Sequence, residues 1–231
     1  MYIPPPDHLQ RPARTSRFAE DHRFRDLLGP AWETLPAAVR QRFGRKAVGH
    51  DAITYVGEIV RSHRTWHGRL FATLCRLVGA PLPLGDEIGV PAVVSVTEDP
   101  QGGGQFWTRI YGRRHGFPQV ITSSKRFSGP TGMTEYLGYG LGIALKVTAD
   151  PRGLSFHSDH YVLTLGGTRL ALPRWLGNLL GPGALTIRHE DRGDGSFYFI
   201  LRLRHPLFGT SLEQWGLFRE RAAHPIGRTP S

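Results

Sequence analysis

The stretch LSFHSDHYVL, Leu154–Leu163, sets two histidines and an aspartate within four residues. Its reading decides between a metal or catalytic site and an ordinary β-strand. Successive side chains of a strand point to opposite faces. On that alternation Ser155, His157, Asp159, Tyr161, Leu163 and Leu165 share one face, and Phe156, Ser158, His160 and Val162 share the other. His157 and His160 are therefore expected on opposite sides, where a single zinc ion cannot take both, and no Cys/His partner motif follows nearby. The stretch reads as a strand, with His157 and Asp159 left as a candidate acid–base couple.

Working outward, a period of two runs from residue 90 to the C-terminal region. It is carried by VPAVVSVTED, QFWTRIYG, PQVITSSKRF, GLGIALKVTAD, LSFHSDHYVLTL, ALTIRHED, SFYFILRLRH and FGTSLEQWGLF, with DAITYVGEIVRSH as an earlier strand. The breaks DPQGGG, DPRG, LGG and DRGDG carry turn chemistry. About nine short strands joined by tight turns predict an antiparallel sheet that curls to remove its edges. The expected class is α+β and predominantly antiparallel β: a curled sheet or partly closed barrel with two or three covering helices.

The helical segments lie mostly before the strands. FRDLLGPAWETLPAAVRQRFG is interrupted by Pro30 and Pro36, each suited to the first turn of a new helix. HGRLFATLCRLVG sets Leu70, Phe71, Leu74, Leu77 and Val78 on one stripe, stopped by Gly79. Such a stripe is expected to pack on the sheet; the sharper alternative is insertion at a membrane surface. PRWLGNLL reads as a short helix between strands. Residues 1–20 and 220–231 read as flexible arms around one domain, 21–219.

The chain has 231 residues and a net charge of +10, and only Lys46, Lys125 and Lys146 among its basic residues are lysines. Arginine suits bidentate contacts with carboxylate or phosphate, although a GC-rich genome produces the same bias. The charge attracts nucleic acid or anionic headgroups. A lone Cys75 excludes a disulfide within the chain. With no apolar leader and no long apolar run, the expectation is a cytoplasmic protein. RGD at Arg192–Asp194 sits in a hairpin turn, and the glycine-rich GYGLGIAL lacks the strand-to-helix context of a phosphate loop.

QFWTRIYGRR is more informative, because Trp107, Arg109 and Tyr111 alternate with Phe106, Thr108 and Ile110. An arginine between aromatics can grip an acidic ligand or snorkel over its neighbours. If it faces inward it needs a carboxylate, and Glu135 in TEYLG is the nearest in an apolar context.

GRLFATLCRLVGAPLP, the WTRIY of Trp107–Tyr111, the EYLG of Glu135–Gly138, LALPRWLG, GSFYFILRLRHPLFG and QWGLF follow one another in an order that resembles a bacterial domain of unknown function, family 4166. The resemblance runs over roughly residues 24–219 and is carried most specifically by LPRWL and HPLFG. The chain departs from it at FYFIL, where the family has an acidic residue between the hydrophobics. The family occurs alone or attached to dehydrogenase-like proteins and has no established activity, so it implies a compact domain and no catalytic residues.

The leading expectation is a binding module for an apolar or amphipathic, lipid-like small molecule held in a barrel-type cavity. Arg109 would hold its acidic end, with Trp107, Tyr111, Phe199 and Trp215 as wall. The alternative is a small isomerase or cyclase using His157, Asp159, Glu135 or His205 for proton transfer. A weak binder of nucleic acid or anionic membrane ranks third, without sequence-specific recognition. No cofactor or metal is expected. At least two titratable groups converging in a cavity favour the enzyme, a dry cavity with one charge favours the carrier, and a filled barrel with one continuous arginine face favours the polyanion binder.

Overall fold

The computed structural model describes residues 18–77, 79, 82–175, 177 and 181–221. Its strands are β1 (Phe18–Glu20), β2 (Arg45–Ala47), β3 (Ala52–Arg64), β4 (Pro91–Asp99), β5 (Gly104–Tyr111), β6 (Gln119–Arg126), β7 (Met133–Gly138), β8 (Leu141–Asp150), β9 (Gly153–Leu165), β10 (Thr168–Ala171), β11 (Ala184–Asp191), β12 (Ser196–His205) and β13 (Gly209–Glu220). Three α-helices accompany them, α1 (Arg23–Leu28), α2 (Ala37–Phe43) and α3 (Trp66–Leu77), with a 3-10 turn over Gly29–Thr34.

The strands run in the order β9-β11-β12-β13-β3-β4-β5-β6-β7-β8, and β8 pairs again with β9. The antiparallel sheet therefore closes into a ten-stranded barrel. Closure satisfies the backbone groups that an edge strand would leave open. Every strand read from the period of two is present, with ends shifted by at most two residues. Four strands carry no period that the sequence reading picks up, among them β1 and β2, which form a small separate sheet, and β7, whose MTEYLG is too short to display one. β10, also unread, is a short flap on β9. Phe18–Glu20, assigned above to an N-terminal arm, belong to β1, and Glu220, assigned to the tail, ends β13 and ion-pairs with Arg45. The remainder of both arms, and most of the PRWLGNLL helix, lie outside the described residues.

One end of the barrel is plugged. The prolines act as expected, Pro30 opening the 3-10 turn and Pro36 standing as N-cap of α2. Phe24, Trp32, Leu35, Val39 and Phe43 from this plug are all buried against the barrel core. Phe24 and Phe43 meet edge to face at 5.0 Å, and both approach Phe156 of β9. Aromatic packing of this kind adds to simple area burial.

Helix α3 sits across the opposite end. Thr65 caps it, its hydroxyl accepting from the Gly68 N–H at 3.3 Å. Gly68 allows the helix to come down on β13: a Cβ there would stand 2.1 Å from the Ser211 carbonyl oxygen. Of the predicted stripe only Phe71 packs inward, and Val78 lies outside the described residues. His67, Ala72 and Cys75 face inward with Gly68, and Phe71 stacks on His205 at 5.5 Å, whereas Leu70, Leu74 and Leu77 are exposed. The sequence shows an apolar stripe, but the helix comes down on its Gly68 side, and that turns Leu70, Leu74 and Leu77 away from the sheet.

The opening stretch forms β9 with an irregularity in its middle. Tyr161 pairs with Ile143, His160 with Ala144, Ser158 with Leu145 and His157 with Lys146. Asp159 is thus an extra residue, a β-bulge, and it resets the alternation. Phe156 and Tyr161 face inward, while His157 and His160 both face out. The expectation that the two histidines lie on opposite faces fails, because strict alternation does not survive a bulge.

Candidate functional site

The barrel interior holds two features, a charged cluster in its middle and an apolar cavity under α3. The cluster is assembled from three consecutive strands. Arg109 on β5, Lys125 on β6 and Glu135 on β7 all point inward and are almost completely buried. Arg109 Nη2 lies 2.9 Å and Lys125 Nζ 2.8 Å from the same oxygen, Glu135 Oε1. Ser123 Oγ donates to that oxygen at 2.5 Å and accepts from Arg109 Nη2 at 2.7 Å. Burial alone pushes the Glu135 carboxyl up, but the Lys125 and Arg109 charges outweigh it and hold the group down at about 2. Burial pulls Lys125 from 10.5 down to about 8, against the opposing pull of Glu135.

Two cations share one carboxylate, so the cluster carries an excess positive charge when Lys125 is protonated. The Lys125 ammonium lies over Trp107 at 5.2 Å and Phe156 at 5.6 Å, and the Arg109 guanidinium over Phe199 at 5.9 Å. These rings offer π faces to charges that water cannot reach. Beside them His189 of β11 is enclosed by Phe43, Trp107, Phe156, Phe197 and Phe199 at 5.0–6.0 Å. Burial, reinforced by the nearby cations, drives its pKa far down, so its imidazole is neutral.

The inward direction of Arg109, Trp107 and Tyr111 follows the alternation of their strand, and Phe199 is also interior. Trp215 is not. A register shift at Trp215/Gly216 turns its ring outward, against Tyr198 at 5.4 Å and under the Arg61 guanidinium at 5.6 Å. Sequence reading missed Lys125 and His189, although each shares the alternation of inward neighbours, Ile121 with Ser123 and Leu185 with Ile187.

The four acid–base candidates do not converge. Glu135 is inside the cluster. His205 is buried under α3, stacked on Phe71 and Phe208. His157 faces outward to Thr148 at 3.1 Å. Asp159 binds His160 at 2.8 Å, Lys146 at 2.7 Å and Arg174 at 2.9 Å, not His157. The Lys146 and His160 hydrogen bonds, with Arg174, hold its carboxyl far below the usual carboxylate range. The couple expected between His157 and Asp159 is thus replaced by a surface ion network built on the bulge. Among the described residues no group of three or more His, Cys, Asp or Glu side chains could hold a metal ion.

The cavity lies where β9 and β11 part. β9 pairs with β11 only up to His157 and with β10 from Val162 onward. The gap is bridged by Leu185 N–H donating to Ser158 Oγ at 2.9 Å and Leu172 N–H to the Tyr161 carbonyl at 2.8 Å. Behind it is a space of about 170 Å³. Its wall includes Leu137, Ile143, Tyr161, Leu185 and Leu203 from the barrel and Cys75 from α3. Burial pushes the Cys75 thiol up to about 11 and the Tyr161 hydroxyl higher still. Neither Arg109 nor any other predicted wall residue lines this space.

A family model described as Domain of unknown function (DUF4166) matches residues 35–218. The chain belongs to this family. The match spans α2, α3 and the barrel up to Phe218 of β13, so the charged cluster and the cavity of this DUF4166 domain both lie within it. A comparison with curated proteins found no match. No helix among the described residues of the DUF4166 domain is long and apolar enough to cross a membrane.

Proposed function

We propose that this DUF4166 domain is a binding module for an apolar or amphipathic small molecule, seated in the cavity between α3 and the β9–β11 parting. The observation that carries the reading is the cavity wall, apolar throughout except for the Tyr161 hydroxyl and the Cys75 thiol. Dry cavities of roughly 150 Å³ take up benzene-sized guests. A space of about 170 Å³ therefore suits one ring or a short alkyl segment, with any polar end of the ligand at the mouth.

The proton-transfer alternative has less support, because His157, Asp159, Glu135 and His205 stand in separate environments, none of them in this wall. A free, buried cysteine facing the cavity favours a cytoplasmic setting. The test is calorimetric titration with straight-chain alcohols of increasing length, on wild type and on Leu185→Trp, which fills the space. The reading requires saturable uptake with a length optimum that Leu185→Trp abolishes. No uptake, or equal uptake by both proteins, sinks it.

A further inference from the structure

The outward face of α3 is the starting point. At about 100° per residue, Trp66, Leu70, Leu74 and Leu77 fall in one sector of the helix. All four are exposed, Trp66 at 74% and Leu77 at 76%. Arg69, Thr73 and Arg76 occupy the adjacent sector, also in solvent. Sheet packing occupies only the remaining side of the helix, and the Trp66 ring meets its neighbour His67 edge to face at 5.4 Å, while Leu70, Leu74 and Leu77 stay exposed.

The stripe does not stand alone. Antiparallel order places the β5–β6 loop, the β7–β8 turn and the β12–β13 turn at the same end of the barrel as α3. Each carries an exposed apolar side chain at its tip: Phe117 at 92%, Tyr139 at 83% and Leu207 at 70%. Most exposed large hydrophobics of the described chain belong to this one end, around the cavity. Exposed patches of this kind mark interaction sites. Cations are interleaved with them: Arg113 and Arg114 precede Phe117 in the same loop, Arg76 lies on α3 and Arg204 is the penultimate residue of β12. Of the acidic residues here, Asp86 is taken up by Arg69 at 2.8 Å, and Glu87 accepts from the Arg114 N–H at 3.1 Å.

We propose that the α3 end of the barrel docks on the surface of an anionic lipid bilayer, with α3 lying in the interfacial plane. The chemistry matches on both counts. Trp, Tyr, Leu and Phe side chains enter the boundary between headgroups and acyl chains, and arginines meet the phosphates. A second copy of this chain fits less well, because a two-fold contact would bring the same arginines face to face. The docking surface frames the cavity mouth, but its existence does not depend on what the cavity holds.

Flotation with vesicles tests it, using phosphatidylcholine alone and phosphatidylcholine with a quarter phosphatidylglycerol. The protein is expected on the anionic vesicles, released in about 1 M salt, where screening is nearly complete. Leu70→Glu/Leu74→Glu alters only exposed positions, so its melting temperature should match wild type while partitioning falls by about tenfold or more. Arg113→Ala/Arg114→Ala should lower it by roughly fivefold per charge. Leu185→Trp should bind vesicles as wild type does, which separates this proposal from the cavity reading. Absence from anionic vesicles, or binding that Leu70→Glu/Leu74→Glu leaves intact, overturns the proposal. Self-association by sedimentation, abolished by the same variant and without vesicle binding, overturns it in favour of a homo-oligomeric face.

Discussion

Arg109 and Glu135 meet inside the barrel, Nη2 to Oε1 at 2.9 Å, on strands β5 and β7 that are separated by β6. The intervening strand supplies Lys125, which takes the same oxygen at 2.8 Å. The carboxylate is therefore the hub, and its removal differs in consequence from removal of either cation. Glu135→Gln leaves two buried cations without a counter-charge and should cost about 3–5 kcal/mol. Arg109→Met leaves a balanced Lys125–Glu135 pair and should cost less, about 1–3 kcal/mol. Urea unfolding of both variants checks the order; a smaller loss for Glu135→Gln would mean that the cluster is not organised around the carboxylate.

Lys125 gives stability an alkaline slope. Its pKa is about 8 in the folded protein against an ordinary 10.5, because burial disfavours the ammonium. Between those values the unfolded chain binds a proton that the folded chain does not, so stability from this group rises with pH across the window. Below about 8 its destabilising contribution is fully present. Lys125→Met should remove this slope. Urea midpoints of the two proteins at a series of pH values should diverge least at the alkaline end, and parallel curves would show that Lys125 titrates normally.

Gly68 sets the seat of α3. Gly68→Ala puts a Cβ 2.1 Å from the Ser211 oxygen, which is backbone and cannot move aside cheaply. Lifting the helix should cost about 1–3 kcal/mol and uncover Cys75. Thermal melts report the first effect. The rate of Cys75 alkylation by an uncharged maleimide reports the second, and an unchanged rate would mean that the helix adapts without lifting.

Phe156 joins the plug to the barrel wall, approaching Phe24 at 6.1 Å and Phe43 at 6.0 Å. It is fully buried, so Phe156→Ala should cost about 3–5 kcal/mol, more than any exposed substitution proposed above. A loss below about 1 kcal/mol would mean that the plug collapses into the space without penalty.

The sequence by itself determined the sheet. Its long strands alternate so regularly, with turn residues at their joins, that their antiparallel order and the curl of the sheet follow from the burial of one face, while full closure is decided by the β8–β9 pairing. The same alternation set Arg109, Trp107 and Tyr111 inward and made Glu135 the required partner. Short strands escaped it, because six residues of MTEYLG or three of FAE cannot show a period. Only the tertiary structure decided where alternation breaks and where helices rest. The bulge at Asp159 and the shift at Trp215 move His160 and Trp215 outward, and both depend on pairing with a neighbouring strand. The outward turn of the α3 stripe is of the same kind, whereas Lys125 follows the alternation of Ile121 and Ser123 and was legible in the strand pattern. Local pattern says which faces a segment has, but which face is buried depends on the surface that other segments present to it.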